Sequence, residues 1–153
     1  MLTAKDIMTV DVITVKENTT VEDLGRVFIE KGISGAPVVD DKGMLAGIVT
    51  EDDLISRNRR LHIPTILRLF DAYIPIGSAG KLEEEIKRMA ATTVSEICTR
   101  KVITVEEETT IEEIATIMTV QKIHLIPVMK GQRITGIIGK KDLIRGVARE
   151  ASE

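Results

Sequence analysis

Apolar and polar positions change period three times within the first fifty or so residues, and the same succession returns near the end of the chain. "VITV" at residues 12–15 is short and β-branched, which favours a strand. Thr19-Thr20-Val21-Glu22 then reads as a capping box, in which the Thr19 hydroxyl accepts the Glu22 amide while the Glu22 carboxylate reaches back. Val21, Leu24, Val27 and Phe28 recur at helical spacing and predict a helix that Gly32 closes. Two apolar runs follow, "ISGAPVVD" and "MLAGIVT", which read as strands separated by a turn at Gly43. A second helix is expected from "EDDLI", so the unit is β-α-β-β-α.

The second copy is a close paraphrase of the first. "VITVKENTTVEDL" at 12–24 is answered by "VITVEEETTIEEI" at 102–114, and Ile7 aligns with Ile97 at an offset of 90 that holds as far as Val38 and Val128. One residue is then dropped, and the match runs from Gly47 and Gly136 to Ile55 and Ile144 at an offset of 89. Thr109, Glu112, Ile111, Ile114, Ile117 and Met118 repeat the helix, with Lys122 in place of the closing glycine. The strands "IHLIPVMK" and "ITGIIG" flank Gly131, and "KKDLI" opens the last helix. The chain therefore divides into a repeat over 1–57, an insert over 58–93 and a repeat over 94–153, of α/β (α+β) class.

Two helices are expected in the insert. Pro64 can open one that carries Ile63, Ile66, Leu67 and Phe70 on one face. The other holds Leu82, Ile86 and Met89 inward, with Glu83/Lys87 and Glu84/Arg88 as i,i+4 pairs. "GSAGKL" between them falls short of a P-loop, because Pro75 stands where glycine is required and Leu82 where Ser or Thr is required.

Composition narrows the function. Twenty-one basic and twenty-four acidic residues give a formal charge of -3, too balanced for a general nucleic-acid or membrane surface. No Trp, one Tyr and two Phe leave almost no platform for stacking exposed bases. The single cysteine, Cys98, aligns with Met8 and reads as a small apolar filler in a reducing compartment. Ala72 to Gly80 is the longest stretch without a charged residue, too short to span a bilayer, and "MLTAKDIMTV" lacks a signal peptide's apolar run. A cytoplasmic protein is expected.

Two tandem units, each with "VITV" before a Thr-Thr helix start, an apolar strand carrying Pro37 or Pro127, and an ending Gly-h-h-Thr-x-x-Asp, with Gly139 for the Thr in the second, resemble the CBS-domain family. The resemblance implies paired units related by a pseudo-twofold axis (a Bateman module), two clefts between them, adenosine-containing ligands and a homodimeric disc. A pair makes physical sense, since one such small unit buries too little apolar surface alone.

The phrase "GIVTEDDL" places Thr50 at a strand end and Asp53 on the first turn of the next helix. Helix N-termini suit phosphate, and a carboxylate at the third helical position can accept both hydroxyls of a ribose. The same two residues also make an ordinary N-cap pair that needs no ligand. The second copy, "GIIGKKDL", keeps Asp142 but has Gly139 instead of Thr, which makes the two sites unequal and favours Asp53. Carried over from the resemblance, one cleft would use Thr50 and Asp53 with Thr109, Ile123, His124 and Leu125. The other would use Gly139 and Asp142 with Thr19, Ile33, Ser34 and Gly35.

His124 reads either as a phosphate contact, as in some family members, or as a rim residue with its own hydrogen bond. His62 reads as a surface residue. Lys140 and Lys141 oppose the dipole of the helix they open, a cost that phosphate or solvent could offset, and Arg57 in "RNRR" is a further candidate phosphate contact or a solvated helix end.

The function expected from the resemblance is regulatory. AMP, ADP or ATP, with S-adenosylmethionine as an alternative, would enter a cleft and shift the angle between the units, which an unknown partner reads in trans. The competing expectation is a ligand-free interaction module in which both aspartates only cap helices. No metal-ligand spacing or nucleophile elbow accompanies the two histidines, so neither an enzyme nor a metal site is expected.

Overall fold

A computed structural model describes residues 1–56 and 92–153. Their elements are α1 (Ala4–Ile7), β1 (Val15–Lys16), α2 (Val21–Lys31), β2 (Gly35–Val39), β3 (Leu45–Thr50) and α3, described over residues 51–56. After the insert come α4 (Val94–Ile97), β4 (Val105–Glu106), α5 (Ile111–Gln121), β5 (Leu125–Lys130), β6 (Arg133–Gly139) and α6 (Lys140–Ser152). The insert helices expected around Pro64 and Leu82, together with His62 and Arg57, lie outside the described residues.

Among the described residues two three-stranded sheets form, in the orders β1-β2-β3 and β4-β5-β6. In the second, β4 runs parallel to β5 with Val105 opposite Val128, and β5 runs antiparallel to β6 with Leu125 opposite Gly139. Gly43 and Gly131 take positive φ at the hairpin turns, as their places between the strands predict.

Three local expectations need correction. "VITV" is not a four-residue strand: only Val15–Lys16 pairs, and Val105–Glu106 in the second copy. The helix cap sits one residue later than the capping-box reading placed it. Thr20, not Thr19, is the N-cap, and its hydroxyl accepts the Asp23 amide at 3.1 Å. Thr19 is otherwise engaged, its hydroxyl accepting the Lys16 amide at 3.2 Å and its carbonyl accepting the Val94 amide at 2.8 Å. The second copy repeats the shift, with Thr110 capping the Glu113 amide at 3.2 Å. Finally, each repeat opens with a four-residue helix, α1 or α4, that the β-α-β-β-α scheme lacks.

Those short helices are exchanged between the repeats. One compact unit contains Met1–Thr14, Val39–Leu45 and Lys101–Glu153; the other contains Val15–Val38 and the described part of Ala46–Arg100. The first repeat's opening segment thus belongs to the unit that holds most of the second repeat. There the Ala4 amide donates to the Thr109 carbonyl at 2.8 Å and the Lys5 amide to Glu107 at 3.0 Å, while Thr9 and Ile137 exchange two backbone bonds of 2.9 and 3.0 Å. In the other unit, Val94 bonds Thr19, Ser95 bonds Glu17, and Thr99 exchanges two 2.9 Å bonds with Ile48.

Each unit has its own core. Ala4, Val105, Ile114, Met118, Ile126, Val128 and Ile138 cluster in one, with Ile7 and Met8 packed against them. Val15, Leu24, Phe28, Ala36, Val38, Val49 and Val94 cluster in the other, with Ile97 and Cys98 at the edge. Cys98 therefore serves as an apolar filler, as its alignment with Met8 suggests. Gly47 and Gly136 let these crossing segments approach: a Cβ on Gly47 would lie 3.0 Å from Cys98 Sγ, and one on Gly136 would overlap Met8 Sδ.

α2 ends at Gly32 with φ 62°, and α5 ends at Lys122 with φ 54°. Lys122 adopts the left-handed conformation that its glycine counterpart takes freely, at a cost of roughly 1 kcal/mol. Lys122→Gly is expected to raise stability by about that amount, seen as a higher urea midpoint with an unchanged slope. An unchanged or lower midpoint would mean that the lysine side chain recovers the backbone cost.

Candidate functional site

One device recurs five times among the described residues: a carboxylate at the third helical position accepts the backbone amide of the N-cap residue. Asp6 takes Thr3 N at 2.8 Å, Glu96 takes Thr93 N at 3.2 Å and Glu113 takes Thr110 N at 3.2 Å. Asp53 takes Thr50 N and Asp142 takes Gly139 N, both at 2.8 Å. Capping therefore explains one oxygen of every carboxylate in the set. The surroundings of the other oxygen separate the two candidate aspartates.

β3 runs into α3, and β6 into α6, with no linker, so Asp53 and Asp142 stand at the edge of a sheet. Asp53 is half-buried, and Thr50 faces its Oδ2 twice, through the amide at 2.8 Å and the hydroxyl at 3.4 Å. Among the described residues its Oδ1 has no hydrogen-bond partner. Asp142 Oδ1 accepts the Thr9 hydroxyl at 3.4 Å and lies 3.8 Å from the Arg145 guanidinium. Its side chain is 13% exposed, which leaves little access to solvent.

Burial sets the electrostatics of this motif. The exposed Asp6 is held below the ordinary carboxylate value, first by the hydrogen bond from the Thr3 amide. Asp53 makes the same bond but moves the other way: desolvation raises its pKa and outweighs the two contacts from Thr50. The folded protein thus holds the Asp53 proton more tightly than the unfolded chain does. Keeping this group charged costs stability at neutral pH, and that cost is relieved as pH falls through its raised pKa. Asp6 has the opposite sign: its contribution is present above the ordinary value of 3.8 and is lost as pH falls through the lowered one.

Within each unit the other expected residues are grouped differently from the carried-over pairing, with Ser34 and Gly35 beside Asp53 and with Leu125 and the His124 carbonyl beside Gly139 and Asp142. Beside Asp53, the Ser34 carbonyl accepts the Glu51 amide at 2.9 Å, which holds the exposed Ser34 and buried Gly35 next to the first turn of α3. Ile33 packs against the core of that unit, and Thr19 is held in the turn before α2. Beside Asp142, a Cβ on Gly139 would stand 3.8 Å from Leu125 Cδ1 and 3.9 Å from the His124 carbonyl. The His124 side chain is exposed, Ile123 packs on the core, and Thr109 holds the turn before α5. Lys140 and Lys141 are exposed on the first turn of α6.

Sequence reasoning missed Thr9 and Arg145 as neighbours of Asp142. The i,i+3 spacing of Asp142 and Arg145 could have flagged the second, whereas Thr9 reaches the site only because the opening segments are exchanged. Among the described residues no group of three or more His, Cys, Asp or Glu could hold a metal ion. No described helix is long and apolar enough to cross a membrane.

Known proteins resemble this chain in sequence or in fold. An uncharacterised protein of Methanocaldococcus jannaschii, MJ1426, is 32% identical, the match covering 94% of this chain and 89% of the relative. CBSX2 of Arabidopsis thaliana, solved in complex with AMP, superposes with a TM-score of 0.73 at 23% identity and 99% coverage of both chains. The CBS domain pair of protein MJ0100, solved with 5′-methylthioadenosine and S-adenosyl-L-methionine, gives a TM-score of 0.72 at 24% identity and 98% coverage of both. The CBS-domain profile matches at residues 4–59 and again at 94–149, one match for each β-α-β-β-α repeat and its opening helix; the chain belongs to the CBS-domain family, as a tandem pair.

Proposed function

We propose that this CBS pair is a regulatory module that binds an adenosine nucleotide of the AMP, ADP or ATP type, with Asp53 receiving the ribose. One observation carries the reading: Asp53 is half-buried, oriented through one oxygen by the Thr50 amide, and left with a second oxygen that no described group satisfies. Such an oxygen is a fixed acceptor, and a sugar hydroxyl that reaches it repays part of the desolvation that raises its pKa. The positive end of α3 suits the phosphate on the same ligand. Similar folds solved with AMP, or with S-adenosyl-L-methionine and 5′-methylthioadenosine, support the adenosine class.

A sensor works where its dissociation constant is near the ligand's working concentration, roughly micromolar to sub-millimolar, or about 4 to 8 kcal/mol of binding free energy. The readout is a change in a partner, driven by the ligand's different affinity for two arrangements of the protein. A thermal-shift panel of AMP, ADP, ATP and S-adenosylmethionine tests this. At about 100 times its dissociation constant the true ligand adds roughly 2.7 kcal/mol. If no member moves the midpoint, the ligand-free interaction module becomes the better account, and the capping bonds of Asp53 and Asp142 then have no second use.

A further inference from the structure

We infer that the two aspartate sites are not equivalent: the chain takes up one nucleotide, at Asp53, because Thr9 and Arg145 keep the Asp142 carboxylate occupied. The inference rests on the proposed nucleotide reading and specifies its stoichiometry and the residues that set it. Both carboxylates spend Oδ2 on the N-cap amide at 2.8 Å, so selectivity must come from Oδ1. At Asp142 that oxygen accepts the Thr9 hydroxyl at 3.4 Å and faces Arg145 at 3.8 Å. The positions equivalent to these two are Thr99 and Ser56, and neither is hydrogen-bonded to Asp53. Serine there cannot supply the positive charge that arginine does.

Steric differences point the same way. The strand entry beside Asp53 is Ser34-Gly35, with no side chain at the second position, whereas the entry beside Asp142 is His124-Leu125. Leu125 Cδ1 and Asp142 Oδ2 converge on one spot, 3.8 and 3.7 Å from where a Gly139 Cβ would stand. Gly139 itself offers no hydroxyl, unlike Thr50, whose Oγ1 is 3.4 Å from Asp53 Oδ2. A sugar arriving at Asp142 must displace Thr9 and Arg145 and press past Leu125. At Asp53 Oδ1, no hydrogen bond from a described residue has to be broken.

Calorimetric titration of the full chain with AMP, and separately with S-adenosylmethionine, tests this. One equivalent is expected for the wild type. Asp53→Asn should weaken binding at least about tenfold, while Asp142→Asn, which retains an acceptor for the Gly139 amide, should leave both stoichiometry and affinity within about twofold. Thr9→Val combined with Arg145→Ala should reveal a second equivalent. Two equivalents in the wild type, or loss of binding in Asp142→Asn with the melting midpoint kept, would overturn the inequality while the nucleotide reading stands. A double variant that still binds one equivalent would overturn the assignment of the block to Thr9 and Arg145. No binding of either probe would overturn the nucleotide reading and this inference with it.

Discussion

Deleting residues 1–9 should unfold the unit built on the second repeat rather than merely trim an exposed end. Ala4 is fully buried in that unit's core, and Ile7 and Met8 pack against it. The same segment supplies backbone bonds to Glu107, Thr109, Ile111 and Ile137. Burying an aliphatic side chain contributes roughly 1.5 to 3 kcal/mol and each hydrogen bond about 1 kcal/mol, so even after the entropy of ordering nine residues a loss of at least about 3 kcal/mol is expected. Deletion would also expose the apolar surface around Gly136 on which Met8 packs.

Hydrogen exchange distinguishes this from general fraying. Amides of α5, β5 and β6 should lose protection, whereas those of α2, whose core uses Val94 rather than Ala4, should keep most of theirs. Loss confined to the first repeat would contradict the exchange of opening segments.

How much of this was legible in the sequence depended on distance along the chain. Local signals served well: the α2 and α5 faces followed from helical spacing, with Leu24, Phe28, Ile114 and Met118 buried as expected, and the hairpins followed from Gly43 and Gly131. The cap was misplaced by one residue because Thr19 and Thr20 offer the same hydroxyl. A turn at Lys16 and a bond to Val94, neither visible locally, engage Thr19 and leave Thr20 to cap. α1 and α4 are about one turn long and carry no periodicity, although Thr3-x-x-Asp6 and Thr93-x-x-Glu96 were there to be read as capping boxes. The exchange was invisible for a different reason. A repeat matches its own copy equally well whichever partner each opening helix joins.

The site was legible to the same extent. Both roles of the aspartates, cap and ligand contact, could be stated from "GIVTEDDL" and "GIIGKKDL", and each carboxylate does accept its N-cap amide. The sequence also favoured Asp53, on the strength of Thr50 against Gly139. The occupied Oδ1 of Asp142 was out of reach, because Thr9 lies 133 positions away from it in the chain.

Asp53→Ala should abolish discrimination between ribose and deoxyribose at the nucleotide site. A carboxylate that accepts the 2′-hydroxyl gains a charge-assisted bond, about 1.5 to 3 kcal/mol, which corresponds to roughly tenfold to a hundredfold in affinity. The apo variant should remain folded: it loses the N3 carboxylate of α3, while the Thr50 N-cap residue stays in place. Acidification should mimic the mutation. Hydroxyl donors stabilise the charged form, so ligand lowers the Asp53 pKa and binding releases protons; affinity therefore falls as pH drops through the raised value of the free protein.

The most direct test is a four-way comparison of dissociation constants, for AMP and 2′-deoxy-AMP with wild type and with Asp53→Ala. Wild type should prefer AMP by about tenfold or more, and the preference should vanish in the variant because AMP binding weakens to the deoxy level. Equal affinity of wild type for the two nucleotides, or an undiminished preference in Asp53→Ala, would show that Asp53 only caps its helix and does not receive a sugar.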